Sequence, residues 1–171
     1  MRVFWSLAHR GFPNKYDRID ARILELVQRN NRLTSDAIGE QVGLSATACQ
    51  RRLKRLRAEG IIEADVSIVS AKAVGRPIQM LLLVTLERER ADIIDRFKRD
   101  IKSSLEIATG FYITGDADFL LYITARSMEE YEQYTRRFFY ENPHIKSIRT
   151  MVVVDRVKAG FAIPIDDPDD D

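Results

Sequence analysis

The sequence is poor in the residues that build metal sites, disulfide frameworks and membrane spans. Its 171 residues include one cysteine, Cys49, and two histidines, His9 and His144, that lie far apart in the chain. A single cysteine excludes an internal disulfide framework and cannot form a thiolate zinc site by itself. No apolar run approaches the ~20 residues of a membrane-spanning helix, and the apolar residues 3–8 are fewer than the ~7–15 of a signal-peptide core. We therefore expect a protein without metal, cofactor or membrane partner, located in the reducing cytoplasm.

The sequence also lacks the residue sets on which common catalytic sites depend. Neither a Ser/His/Asp set nor a phosphate-cradling glycine loop accompanies the neighbouring acids Asp116 and Asp118. Two carboxylates in a turn are weak support for acid–base catalysis. We therefore do not expect an enzyme.

The net charge of +1 hides two halves of opposite sign. Residues 1–76 contain 14 Lys and Arg against 8 Asp and Glu, a balance of +6, whereas residues 77–171 contain 13 against 18, a balance of −5. A basic half is suited to bind a polyanion. Gly75-Arg76-Pro77 lies where the sign changes and has the composition of a linker, which we place at residues 73–77. The chain is therefore expected to contain two domains.

Helical periodicity begins after an N-terminal extension, residues 1–16, that shows no clear pattern. Apolar residues recur at spacings of three and four from Asp17 to about Asn30, which predicts a first helix. Thr34 is a suitable N-cap for a short second helix, and Gly43 follows it where a left-handed residue is needed. Two short helices joined by few residues are therefore expected here.

A third helix is predicted directly after the first two. Ser45 can cap this helix, which continues to about Ala58, and the short turn before it has the length that a helix-turn-helix requires. Apolar and polar residues alternate over residues 61–70, which predicts a small hairpin or wing. We therefore expect a winged helix-turn-helix domain over residues 17–72.

The third helix has two different faces at about 100° per residue. Cys49 lies on the apolar face and is interpreted as a core residue. Between Arg51 and Arg57 there are five cations and no acid. An isolated helix of this kind is usually just a solvated surface, but the helix-turn-helix context favours DNA binding. Residues near the start of the helix are expected to reach base edges, and later cations to contact phosphates. The first group comprises Ser45, Thr47, Gln50 and Arg51, and the second comprises Lys54 and Arg55.

The second half predicts an α+β domain. Its periodicities indicate strands at 78–86, 106–113, 119–125 and about 145–158, and helices at 91–103 and from Ser127 to before Pro143. The order βαββαβ is the ferredoxin-like plan, an antiparallel sheet with helices on one face. We place this domain at residues 78–165 and expect the acidic tail, residues 166–171, to be disordered.

Several separated motifs occur in the order typical of one family. They are Asp17-Arg18-Ile19-Asp20, Val42-Gly43-Leu44-Ser45, Thr47-Ala48-Cys49, Gly60-Ile61-Ile62 and Thr114-Gly115-Asp116-Ala117-Asp118. With these motifs the sequence resembles the Lrp/AsnC feast/famine regulators over roughly residues 17–165. The resemblance implies a winged helix-turn-helix joined to a βαββαβ regulatory domain, dimers formed through its sheet, frequent octamers and amino-acid effectors. The N-terminal extension and the acidic tail have no counterpart role.

The resemblance also implies an effector site between dimers, near the turn that joins the second and third strands. Gly115 would admit a close backbone approach, and Asp116 or Asp118 would accept hydrogen bonds from an α-ammonium. The same residues are also ordinary in a hairpin turn, and the apolar ones are ordinary in a core. Ala117 stands where relatives often have an aromatic residue, so the ligand stays open. The implied effector residues are Tyr112, Thr114, Gly115, Asp116, Asp118, Met128, Met151, Val152 and Val153.

The function expected from these features is sequence-specific transcription regulation. The partners would be double-stranded DNA, an amino acid and further copies of the chain, with DNA occupancy or assembly changing when the amino acid binds. A low-specificity DNA-organising protein is the alternative, because the same basic helix would serve it.

Overall fold

The computed structural model describes residues 16–168, which form two compact units. Residues 16–68 and 159–168 belong to one unit, and residues 69–158 form the other. Residues up to 165 were predicted to belong to the sheet domain, whereas their contacts group residues from Ala159 onward with the helices. The predicted extension, apart from Tyr16, and the last three residues of the acidic tail lie outside the described part. Within residues 16–168 no helix has the length and apolar character needed to cross a membrane.

Three helices of the first unit begin and end as the capping signals predict. Asp17 and Thr34 accept hydrogen bonds from the first turns of the first and second helices, and Gly43 adopts a left-handed conformation with φ of 74°. A Cβ on Gly39 would lie 2.4 Å from the carbonyl oxygen of Leu44, so only glycine lets the turn approach the second helix. The helices are α1 (Arg18–Arg29), α2 (Ser35–Val42) and α3 (Ala46–Ala58).

The core of this unit lies where the three helices meet. Ile23, Ile38, Cys49 and Leu56 are fully buried, each with a relative exposure of 0%. This confirms that Cys49 is a small core residue. Because α3 contributes Cys49 and Leu56 to this core, its opposite face is directed outward.

The hairpin predicted for residues 61–70 is not formed. Ile61 and Ile62 donate their amides to the carbonyl of Leu56 and pack against the helical core, and the following residues form no strand. Tight hairpin turns need residues with positive φ, and none occurs between Gly60 and Gly75. The alternation predicted a strand, but it could not supply a turn.

A buried carboxylate joins α1 to α3. Asp17 and Asp20 form a reciprocal capping box, and the Asp20 side chain is completely buried. Nη1 of Arg52 lies 2.7 Å from Oδ2 of Asp17 and 2.8 Å from Oδ1 of Asp20, and Arg55 donates to the other oxygen of Asp20. Charge-assisted hydrogen bonds of this kind fix direction as well as distance. They therefore set the rotation of α3 against α1.

The ionisation of these groups agrees with that role. Partial desolvation would raise the pKa of Asp17, but hydrogen bonds from the Asp20 amide and from Arg52 lower this pKa overall. Hydrogen bonds to Asp17 and Asp20 raise the pKa of Arg52. Both partners are therefore charged at neutral pH.

Replacing Asp20 with asparagine should destabilise the helical unit by about 1.5–3 kcal/mol, the cost of losing hydrogen bonds to a charged group. Arg52 and Arg55 are partly exposed, so solvent would limit the loss. Denaturant unfolding followed by circular dichroism measures the effect. The control is Asp17→Asn, which keeps a good N-cap and should cost less than about 1 kcal/mol at this half-exposed position. Equal losses for the two variants would contradict the structural role of Asp20.

The second unit is the predicted ferredoxin-like sheet. Its strands are antiparallel in the order β2-β3-β1-β4, which confirms the βαββαβ plan. A π-helical segment, Arg136–Tyr140, extends the last helix toward Pro143. The elements are β1 (Ile78–Leu86), α4 (Ala91–Ser103), β2 (Ile107–Tyr112), β3 (Phe119–Ala125), α5 (Met128–Thr135) and β4 (Ile145–Val152).

Alternate residues of the central strands form the core of the sheet unit with α4 and α5. Leu82, Val84 and Leu121 are buried there against Phe97 and Phe139. The intervening residues of β1 and β3 lie outside this core, and most of them are only half-buried, Leu81, Leu83 and Leu120 among them. Thr124 is the buried exception.

Strand β4 ends six residues earlier than predicted, at Val152 rather than Lys158. The amide of Val153 still donates to the carbonyl of Gln79, at 2.9 Å, but β1 begins at Ile78 and offers no further partner. Val154 and Val157 are therefore 97% and 93% exposed. No described strand pairs with these residues.

Candidate DNA interface and effector site

The outward face of α3 carries most of the side chains predicted to contact DNA. Thr47, Gln50, Arg51 and Lys54 are all exposed. Among residues 16–168, neither Arg51 nor Lys54 has an ion-pair partner. Ser45 is exposed as well, and its Oγ accepts from the Ala48 amide at 3.3 Å as the N-cap. The first turns of α3 therefore present hydrogen-bonding groups and an unneutralised cation to solvent.

The other three cations of α3 are bound to carboxylates from elsewhere in the unit. Arg52 and Arg55 contact Asp20, and Nε and Nη2 of Arg57 lie 2.8 and 3.1 Å from the carboxylate of Asp65. This bidentate contact lowers the pKa of Asp65 and raises that of Arg57. The absence of acids within α3 therefore does not mean that its cations are free. Arg55, predicted to contact a phosphate, has a second role in holding α3.

Arg52 was not among the residues predicted to act at either site. It lies three residues after Cys49 and four before Leu56, so helical periodicity places it beside the packing face. That spacing was the available signal. Its partners could not be read from the sequence because Asp17 and Asp20 lie 35 and 32 residues earlier.

The turn between β2 and β3 is open to solvent. Gly115 has a φ of 127°, and no atom lies within 4 Å of the position its Cβ would take. Thr114 and Asp116 are exposed. Nζ of Lys98 lies 4.6 Å from the centroid of the half-exposed Tyr112 ring, which is a cation–π distance. The turn thus offers groups of both charges. Lys98 was not predicted as a site residue, because nothing in the sequence around it indicates that it lies beside Tyr112.

Asp118 is occupied by the fold. Its Oδ2 accepts from the Leu86 amide at 2.6 Å, and its own amide donates to the Val84 carbonyl at 2.9 Å. These bonds join the turn to the end of β1, where the β1–β4 register shifts. Of the two acids proposed to accept from an ammonium group, Asp116 is therefore the unengaged one.

The remaining candidate effector residues lie at the opposite end of the sheet. Val152 pairs with Met80, four residues from the Val84 that contacts the turn, which is roughly 13 Å along β1. Strands β2 and β4 also form opposite edges of the sheet. One chain therefore does not bring Met151–Val153 to the turn.

Met128 also lies away from the turn. Its side chain is 48% exposed because α5 starts just beyond the last β1–β3 pair, Ile78 and Ala125. Ser127 caps this helix, and the Glu130 carboxylate accepts a hydrogen bond from the Arg126 amide. That amide and the Arg126 side chain lower the pKa of Glu130.

Groups of three or more His, Cys, Asp or Glu side chains that could hold a metal ion do not occur among residues 16–168.

Two tyrosines of α5 are buried with hydroxyl partners. Tyr131 pairs with Thr150 at 2.7 Å and Tyr134 with Ser104 at 2.8 Å, and burial raises both pKa values. They belong to the core rather than to either candidate site.

Comparisons with known proteins match both units. A winged helix-turn-helix DNA-binding model matches residues 16–63, and an Lrp/AsnC ligand-binding-domain model matches residues 79–163. An uncharacterised HTH-type transcriptional regulator of Sinorhizobium fredii is 65% identical over 157 residues, covering 92% of this chain and 93% of the relative. The leucine-responsive regulatory protein of Haemophilus influenzae is 31% identical over 142 residues, covering 83% and 86%.

A solved structure agrees. The crystal structure of a transcriptional regulator from Neisseria meningitidis in complex with L-Met has a TM-score of 0.79 and 26% identity, covering 87% of this chain and 96% of that chain. The family that these comparisons match is one of transcription regulators. The helix-turn-helix with its outward polar face, the βαββαβ sheet and these matches together show that the chain belongs to the Lrp/AsnC family of transcription regulators.

Proposed function

We propose that this protein is a sequence-specific DNA-binding regulator, active in the cytoplasm, whose DNA occupancy or assembly changes when it binds an amino acid. The outward face of α3 carries the proposal. Arg51 and Lys54 are exposed without ion-pair partners, while the cations on the inner side hold the helix in place. A rigid helix with free donors is what readout of a DNA groove requires.

The positions along α3 suggest different contacts. Ser45, Thr47, Gln50 and Arg51 lie in the first turns, from which a recognition helix reaches base edges. Lys54 lies one turn later and suits a phosphate, as does the exposed part of Arg55. One such helix contacts few base pairs, so a dimer would place two helices about 34 Å apart on a two-fold DNA site.

Arg51→Ala and Lys54→Ala should have different effects on DNA binding. On a duplex that the protein itself selects from a random pool, Arg51→Ala should cost about 1–3 kcal/mol, with a smaller loss on random duplex. Lys54→Ala should weaken both duplexes about equally and reduce the salt slope by about one, because it removes a phosphate contact. Fluorescence anisotropy across a salt series measures both quantities.

The matched control is Arg96→Ala, which removes an exposed cation of α4 in the sheet unit and should leave both affinities unchanged. If Arg51→Ala weakened selected and random duplex equally, sequence-specific readout would be refuted. That result would favour the low-specificity DNA-organising protein instead.

The candidate effector residues support a site shared between copies of the chain. The turn offers backbone groups at Gly115 and the free carboxylate of Asp116, which suit the carboxylate and ammonium of an amino acid. The partly exposed Met151 and Val152 could contact its side chain, but they lie at the other end of the sheet. A second copy could bring the two groups together, so binding would change the population of assemblies.

An amino acid that binds only the folded protein should raise its melting temperature, by an amount equivalent to about 2.7 kcal/mol at a concentration of 100 times Kd. Thermal shift and sedimentation velocity should be measured with each amino acid, beginning with L-methionine. If none of them altered melting or sedimentation at millimolar concentration, the amino-acid effector would be ruled out.

Two aspartate variants separate binding from folding at the turn. Asp116→Asn should reduce the affinity for the amino acid identified in that screen by roughly 10–100-fold, because it removes a charged acceptor. It should leave the melting temperature of the free protein unchanged. Asp118→Ala should lower that melting point, because it leaves the Leu86 amide without its acceptor at a cost of about 1–3 kcal/mol. Ligand affinity that survives Asp116→Asn would exclude this carboxylate from the site.

A further inference from the structure

The last described residues of the chain bind the DNA-binding unit. We call residues 159–168 the C-terminal strap. The side-chain amide of Gln28, near the end of α1, donates to the carbonyl of Ile163 at 2.9 Å and accepts from its amide at 3.1 Å. A side chain thus satisfies both backbone groups of one residue, as a neighbouring strand would.

Other contacts fix the strap along α1. Ile165 packs against the helical core, and the Tyr16 hydroxyl donates to the Asp166 carbonyl at 3.3 Å. Nε of Arg18 lies 3.0 Å from the carboxylate of Asp167. The strap therefore combines an apolar anchor, a paired backbone and an ion pair, at both ends of the helix. The acidic tail was expected to be disordered, but its first two residues take part in this contact.

The strap changes how the two units are connected. The chain leaves the helical unit after residue 68, forms the sheet, and returns to the helices at residue 159. The units are therefore joined by two covalent segments rather than one. The returning segment, residues 153–158, follows directly after Met151 and Val152, which are candidate effector residues. A displacement at the end of β4 would act on α1 through only six residues.

We propose that the strap is a regulatory connection that couples the end of β4 to the orientation of α1. Because Asp20 joins α1 to α3, a change at β4 would reach the DNA-binding face without passing through residues 69–77. The proposal deepens the proposed function and rests on it. It assigns Gln28 and Ile165 as positioning residues for regulation.

A first experiment tests whether the strap binds α1 in solution. Hydrogen exchange of the α1 amides should become roughly 5–30-fold faster in Gln28→Ala, the factor that corresponds to a small loss of local stability. In a chain that ends at Lys158, the same substitution should have no effect, since the strap is gone. Gln41→Ala, in which the replaced side chain bonds only within α2, is the control and should leave α1 unchanged. An equal effect of Gln28→Ala in the full and shortened chains would overturn the proposal.

A second experiment tests the coupling through its reciprocity. If a change at β4 alters DNA binding, then DNA binding must also alter β4. Binding of a selected DNA duplex should change exchange in residues 145–158 by roughly 2–30-fold, the range of coupling through packed elements. The change should vanish in the Gln28→Ala/Ile165→Ala double variant. The same response in both proteins, or no response in the unaltered one, would overturn the proposal. Failure of the proposed function is seen separately, as failure of the unaltered protein to select DNA.

Discussion

The burial of the Asp20 carboxylate is the constraint on which the DNA-binding unit depends. A buried charge is costly unless hydrogen bonds and opposite charges satisfy it, and here the Asp17 amide, Arg52 and Arg55 do so. Two of these donors come from α3, so the satisfied state exists in only one orientation of that helix. The direction of Arg51 and Lys54 is then a consequence. The inner cations hold the helix, and the outer ones are exposed and have no ion-pair partner among residues 16–168.

Periodicity predicted much of the fold because burial repeats along an element. The bounds of β1 and α4 agree with those predicted, since their buried residues follow periods of two and of three to four. Periodicity gave wrong predictions for residues 61–70 and for residues 153–158, where no strand is formed. Alternation says which side chains could share a face, but a strand also needs a partner backbone. Whether one is present depends on the end of β1 and on turn geometry far away in the sequence.

The candidate sites were predicted as residue types but not as arrangements. Sequence spacing put Arg51 and Arg55 on one outward face, whereas the structure binds Arg55 to an acid 35 residues away. It likewise joined Asp116 and Asp118 in one turn, although the Asp118 carboxylate serves Leu86, 32 residues earlier. Local patterns do not contain these pairings, because the partners meet only after the chain has folded.

The charge asymmetry that first suggested nucleic acid needs a different explanation once the strap is counted with the helices. Residues 16–68 and 159–168 together carry 9 Lys and Arg against 10 Asp and Glu, a balance of −1, so this part of the unit is not basic. Five of those cations are on α3, and the strap adds Asp166 and Asp167 beside α1. Net charge governs attraction at long range, whereas contact depends on where charges lie. The proposed contact with DNA therefore depends on the unpaired cations of one helix face rather than on the net charge of the unit.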